Sequence, residues 1–127
     1  MPFSRLGCAG VVAIAATLTL VLVCPHPSWN PWTLRAIKAE SEGLMTTHPI
    51  RAPEAWTSVP RVDWPPVIAS FEPDSVTVHN WGVEVTTIPF FDGGWGYGVP
   101  RNDEVRRRLA KRCYSDAGQG VLWHVPC

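Results

Sequence analysis

The sequence predicts an α+β protein in which one N-terminal transmembrane helix is followed by a small antiparallel β-sheet domain of about four strands with one or two short helices. Three observations carry this. Residues 6–24 are a run of nineteen without a charge. Residues 75–100 hold the densest alternation of valine with polar residues, which is the period of a half-buried strand. Four cysteines split two and two between the ends of the apolar run and the C-terminal stretch. A chain of 127 residues, part of it given to a membrane, leaves room for one ordinary domain at most.

Residues 1–5 read as a cytoplasmic n-region carrying Arg5, and residues 6–24 as a transmembrane signal-anchor. As a helix the run spans about 28 Å, close to the roughly 30 Å hydrocarbon core. A cleaved signal peptide is the main rival, but its apolar stretch usually covers about 7–15 residues before a small-x-small site. The exit here reads Val21-Leu22-Val23-Cys24-Pro25-His26-Pro27, without Ala-x-Ala, and Val23 is too bulky for lipid modification at Cys24. No Lys or Arg follows until Arg35, so the positive-inside bias places the C-terminal domain outside the cytoplasm.

Residues 25–48 form a juxtamembrane segment in which Trp29 and Trp32 fall at headgroup level, as membrane-interface residues. Asn30 followed by Pro31 is a helix start, an N-cap and then proline at the first helical position. A short helix is expected over residues 31–42, ended by Gly43, with Leu34, Ile37 and Leu44 along one stripe. Residues 49–73 hold six prolines, which exclude a long helix or a central strand. Trp56, Val62, Trp64, Val67, Ile68 and Phe71 make this stretch too apolar for a free linker. It reads as a proline-rich strap over the β domain, with a short edge strand near residues 67–71. A ligand for another protein's aromatic groove is the alternative, although no x-Pro-x-x-Pro repeat is sustained.

Residues 74–127 make the small antiparallel β domain with a basic helix. A loop at residues 79–82 sets Val78 opposite Val83 and Val76 opposite Val85; shortening it by one sends valines to the wrong face. After the turn at Asp92-Gly93-Gly94, Trp95, Tyr97 and Val99 share one strand face while Gly94, Gly96 and Gly98 share the other. A side-chain-free strand face marks close approach by another backbone, a large side chain or a ligand. The spacing lacks the Gly-x-Gly-x-x-Gly fingerprint of a dinucleotide loop. Asn102 is set to cap a helix over residues 103–112, with Val105, Leu109 and Cys113 inward and Arg106, Arg107, Arg108, Lys111 and Arg112 around the rest. Acids first and bases last suit the helix dipole; contact with anionic lipid headgroups or an acidic partner is the functional alternative. Gly118-Gln119-Gly120 is a turn, and residues 121–125 a closing strand with Val121, Trp123 and Val125 on one face. Net charge is zero, yet residues 36–104 hold four bases against ten acids and residues 105–112 five bases and no acid. Neither block is long enough to define a nucleic-acid-binding class, and no nucleic acid is expected as partner.

The series Pro65-Pro66-x-Ile68, Ser75-Val76-x-Val78, Gly82-Val83, Phe90-Phe91, Val99-Pro100-Arg101 and Gly118-Gln119-Gly120-Val121-x-Trp123 resembles a pattern in short uncharacterised bacterial proteins. These carry an N-terminal hydrophobic segment and a small β-rich domain, and have no assigned activity. The resemblance spans roughly residues 65–125 and its motifs are structural, so it transfers no functional residue; the glycine-rich residues 93–98 and the arginine cluster stand outside it.

Cys8 and Cys24 would lie about 24 Å apart on a helix and cannot pair with each other. Cys113 and Cys127 flank the last strand, and outside the cytoplasm a structural disulfide is their plain reading. Its loop of about fifteen residues is valued at roughly 3 kcal/mol by the chain-entropy argument. The competing reading is a metal held by Cys113, His124 and Cys127 with His79 as fourth ligand, a spacing that matches no common zinc pattern. His79, His124, Asp63, Asp92 and Asp116 could form acid–base pairs, but no nucleophile or metalloprotease motif joins them. Of seven tryptophans, Trp29 and Trp32 are assigned to the membrane and Trp64, Trp123 and Trp56 to the core. Trp81 and Trp95 are left over, and with Gly94, Gly96 and Gly98 they form the candidate interaction surface. The chain is therefore expected to be a single-pass protein of the bacterial inner membrane, with its C-terminal domain outside the cytoplasm. Its expected role is a non-catalytic accessory or interaction module of the cell envelope, or an accessory subunit of a membrane complex. The expected partners are the lipid bilayer and another envelope or membrane protein, with no cofactor. Alternatives are a secreted or periplasmic small ligand-binding domain, aromatic or carbohydrate, after signal-peptide cleavage, and a small enzyme.

Overall fold

The computed structural model describes residues 26–91, 93–111 and 113–127. The signal-anchor expected over residues 6–24, with Cys8 and Cys24 at its ends, lies outside them. Among the described residues no helix is long and apolar enough to cross a membrane.

Asn30 starts helix α1 as its composition demands: the side chain accepts a hydrogen bond from the Trp32 N–H at 3.0 Å, and Pro31 fills the first helical position. The helix runs Pro31–Thr47, past the expected stop at Gly43. Leu34, Ile37, Ser41 and Leu44 are buried along one stripe and Met45 packs against the core. That burial outweighs the roughly 1 kcal/mol a helical glycine costs, and Gly43 itself faces open space. The helix is thus one wall of the core and not a free juxtamembrane element.

The proline-rich stretch holds a three-residue strand β1 (Trp56–Ser58), a 3-10 turn (Arg61–Asp63) and helix α2 (Pro66–Ser70). The edge strand expected near residues 67–71 is therefore a helix, and the edge lies at β1 instead. Pro66 at the first helical position makes the difference, together with Glu40 on α1. Its two carboxylate oxygens accept the Val67 and Ile68 N–H groups, both at 2.9 Å, and so supply the N-terminal acceptor that the local sequence lacks.

Strands β2 (Ser75–His79), β3 (Gly82–Ile88), β4 (Trp95–Pro100), β5 (Tyr114–Gly118) and β6 (Val121–His124) complete a six-stranded antiparallel sheet in the order β1-β2-β3-β4-β6-β5. Among the described residues, six strands and three helices replace the four strands and one or two short helices expected of the domain. The β2–β3 hairpin keeps the expected register, Val78 opposite Val83 and Val76 opposite Val85, with pairing carried on to His79 and Gly82. The residues expected as a closing strand form β6, which lies between β4 and β5 and has all four residues buried. Strand β5, polar in sequence, is the edge, and its ladder is irregular between Asp116 and Gly118. Helix α3 (Asp103–Leu109) is shorter than expected and has no buried residue, so Val105 and Leu109 are only half-buried. Its Asn102 cap is present, accepting the Val105 N–H at 2.9 Å, while Arg112 lies outside the described residues. Cys113 and Cys127 are joined as a disulfide, with Cα atoms 5.6 Å apart.

Register gives the sheet two unlike faces. Val76, Val78, Val83, Val85, Tyr97, Val99, Val121 and Trp123 point to the side covered by Leu34, Ile37 and Leu44 of α1 and Ile68 of α2. The opposite face carries Trp56, Thr77, His79, Glu84, Thr86, Gly96, Gly98, His124 and Tyr114.

Two neighbours on α1 are expected to act with opposite sign in urea denaturation. Glu40→Ala strips the acceptor from two N–H groups and should lower stability by about 1–3 kcal/mol. Ser41 is fully buried and its hydroxyl has no hydrogen-bond partner, so Ser41→Ala should leave stability unchanged or raise it by up to about 1 kcal/mol.

Candidate functional site

The polar face is organised by what β4 leaves out. Glu84 on β3 stands opposite Gly98, and Gly96 stands opposite His124 on β6. With no side chains on the strand between them, Glu84 and His124 meet over β4, with Glu84 Oε1 3.3 Å from His124 Nε2. Glu84 Oε2 lies 3.2 Å from His79 Nε2, so one carboxylate lies between two imidazoles. The aromatic rings close around them. His79 stacks on Trp81 with centroids 5.2 Å apart, Trp81 meets Tyr114 edge-on at 5.7 Å, and Tyr114 leans on His124 at 5.5 Å.

The three glycines of the expected interaction surface are all buried. A β-carbon on Gly96 would run into the Val85 carbonyl, and one on Gly94 into the Ile88 carbonyl. On Gly98 it would meet the Tyr114 ring at 2.9 Å. The bare face is filled from within the chain, by Tyr114, Trp81 and the β3 backbone. Trp64 and Trp123 instead lie on the core side, Trp64 donating its indole N–H to the Val59 carbonyl at 2.9 Å. Trp95 is half-buried, edge-on to Phe90 at 5.5 Å. Trp29 and Trp32 are 69% and 74% exposed. Trp56, expected in the core, is 55% exposed, because β1 is an edge strand and its indole belongs to the polar face.

The electrostatics follow from this packing. Burial works against ionisation of Glu84, yet the His79 hydrogen bond and the charges of His124 and His79 outweigh it and hold the carboxyl below its ordinary value. His124 is 3% exposed, and burial pushes its pKa down despite the pull of Glu84 and of the Gly94 carbonyl. The Gly94 carbonyl, 2.9 Å from Nδ1, can only accept, so Nδ1 carries a proton. The neutral ring therefore turns a bare Nε2 toward Glu84, without an aligned hydrogen bond, and the protonated ring turns that contact into an ion pair. Burial and the Glu84 charge both raise the Tyr114 hydroxyl pKa, so the phenol stays protonated.

The four residues weighed as metal ligands do not gather in one place. Cys113 and Cys127 are spent in the disulfide, and both histidines face Glu84; no metal-competent group of three exists among the described residues. Of the acid–base candidates, His79 and His124 come together on Glu84, which sequence reasoning passed over. Asp63 pairs with His48 at 3.1 Å and Asp116 lies 3.7 Å from Arg106, while Asp92 lies outside the described residues. The hydrogen-bond partners of the two rings are Glu84 and a carbonyl, not a hydroxyl or thiol that could act as nucleophile. Period-2 alternation did hold a signal for Glu84: it occupies the polar position between Val83 and Val85.

Beside the cluster, over β1, β2 and β3, the face opens into a depression of about 350 Å³ bounded by Trp56, Ser75, Thr77, His79, Glu84 and Thr86. A second hollow, about 590 Å³, lies among Arg106, Arg107, Arg108 and Lys111 of the basic segment. Comparison with protein-family models, with curated proteins and with solved structures finds no match.

Two measurements check this geometry. The folded pKa of His124 lies below its ordinary 6.5 and that of Glu84 below 4.5. Each group therefore contributes stability that is complete above those values and lost as pH falls toward the folded pKa. The melting temperature is expected to hold at neutral pH and to decline below 6.5 and again below 4.5, with His124→Asn flattening the upper part of the decline. Gly98→Ala should cost about 1–3 kcal/mol by overpacking against Tyr114. In a Tyr114→Ala background the same change should cost less, a coupling read from a double-mutant cycle.

Proposed function

We propose that this chain is a non-catalytic binding module of the bacterial cell envelope, anchored by residues 6–24, with its folded domain outside the cytoplasm and in contact with another envelope or membrane protein. The observation that supports it best is the division of the sheet. One face is closed by α1 and α2, while the other carries preorganised polar and aromatic groups beside an open depression. Two further features agree with this. Trp29 and Trp32 are exposed just after the apolar run, where interfacial aromatics belong. At the β3–β4 connection Ile88, Phe90 and Phe91 are exposed, Phe91 by 99%, beside the ring of Trp95. The proposed contact surface is therefore this phenylalanine tip with the ring of Trp95, which packs against the core, while Trp81 lies on the polar face over Gly98. A second reading, a small-ligand domain, is favoured by the depression itself, whose volume falls at the low end of ligand pockets.

The chain is expected to stay with membranes through carbonate extraction and to expose its domain to protease added to spheroplasts. A shorter soluble form beginning near Trp29 would overturn the anchor. In a tagged pull-down from detergent-solubilised membranes, Phe91→Ser should lose the co-purifying envelope protein while its melting temperature stays within a few degrees of the parent. Full retention of every partner would remove the tip from the contact surface.

A further inference from the structure

We propose that the depression over β1, β2 and β3 is a saccharide subsite in which a pyranose ring lies against Trp56 and its hydroxyls bond Glu84, His79 and the hydroxyls of Thr77 and Thr86; this rests on the reading of the chain as a binding module. Trp56 stands opposite His79 in the β1–β2 register, on the polar face, and is more than half exposed. Its indole is thus an apolar platform that the core does not use, next to the imidazole of His79. The next two rungs are Thr77 opposite Glu84 and Ser75 opposite Thr86. They bring three hydroxyls and a carboxylate into one patch on neighbouring strands, at the spacing of direct cross-strand pairs.

This combination matches one ligand chemistry. A pyranose presents an apolar face of C–H groups that suits an indole, and a rim of hydroxyls that both donate and accept. Glu84 is an acceptor held in place before any ligand arrives: Oε2 is fixed by His79 Nε2 at 3.2 Å, and Oε1 packs against the buried ring of His124. Such preorganisation reduces the ordering cost of binding. An anionic ligand is disfavoured, because Asp74 and Glu84 border the depression and no Lys or Arg does. A cationic amine would suit Trp56 and the carboxylates, but it has no use for three hydroxyls, and one oxygen of Glu84 is already engaged by His79.

The test uses the full chain in nanodiscs or in a detergent without a sugar headgroup, titrated with neutral disaccharides of glucose, galactose and N-acetylglucosamine. Binding is read by tryptophan fluorescence and by saturation-transfer NMR. At least one disaccharide should bind saturably. Trp56→Ala should weaken it about tenfold or more, the equivalent of losing one stacking contact. Thr77→Val, which keeps the shape of the strand, should weaken it severalfold. The proposal is overturned if no disaccharide binds the folded chain at millimolar concentration, if Trp56→Ala and Thr77→Val both bind as the parent does, or if tetramethylammonium binds at Trp56 where the sugars do not. If the sugars fail while the Phe91-dependent partner is still captured, the binding module stands and the saccharide falls; if both fail, both readings fall.

Discussion

Adjacent strands lie about 4.8 Å apart, so Glu84 on β3 and His124 on β6, with β4 between them, meet only because Gly96 and Gly98 leave that strand bare. The two glycines are required for different reasons. At Gly96 the neighbouring carbonyl of Val85 occupies the space of a β-carbon, so the limit is set by backbone. At Gly98 the limit is the ring of Tyr114, a side chain. Remove either and the carboxylate loses its second imidazole or the ring its seat, and the aromatic group from Trp81 to His124 loses its centre. The two glycines of β4 cost about 0.5–1 kcal/mol each in strand propensity, and this packing is what offsets them.

The cluster so formed is polar, and most of it is withdrawn from water. In a medium of low effective dielectric a satisfied network stiffens its surroundings, while an unpaired member is expensive. The Gly94 carbonyl sets the His124 tautomer, the tautomer sets what Nε2 can offer Glu84, and His79 completes the carboxylate from the other side. The order of the three strands β3, β4 and β6 is therefore written into polar contacts as well as into the valine-rich face. Those valines hold the sheet to α1 and α2, and the polar cluster keeps the opposite face in one arrangement.

Much of the fold was legible in the residues. Asn30-Pro31 and Asn102 announced two helix starts, the valine alternation set the β2–β3 register, and the spacing of Cys113 and Cys127 announced their bond. What escaped depends on contacts between distant segments. Helix α2 needs Glu40 from α1 for its acceptor, which no local pattern shows. Strand β5, Tyr-Ser-Asp-Ala-Gly, has little strand character of its own and exists because β6 offers a ladder. At the site the glycine face was legible as a place of close approach, but not what approaches. Tyr114 and Trp81 lie 16 and 17 residues away from Gly98 along the chain, and Glu84 looked like any polar residue in an alternating strand. Trp56 was misplaced because its burial depends on whether its strand is central or at an edge, which pairing alone decides.

Both margins of the sheet end abruptly. On one side β1 offers three residues of ladder before Pro60, and on the other the β5 ladder breaks between Asp116 and Gly118. An exposed strand recruits further strands when it is long, flat and regular. Here a neighbouring copy arriving at either margin finds too few consecutive donors and acceptors to add a seventh strand. Both margins are thereby poor templates for edge-to-edge growth of the sheet.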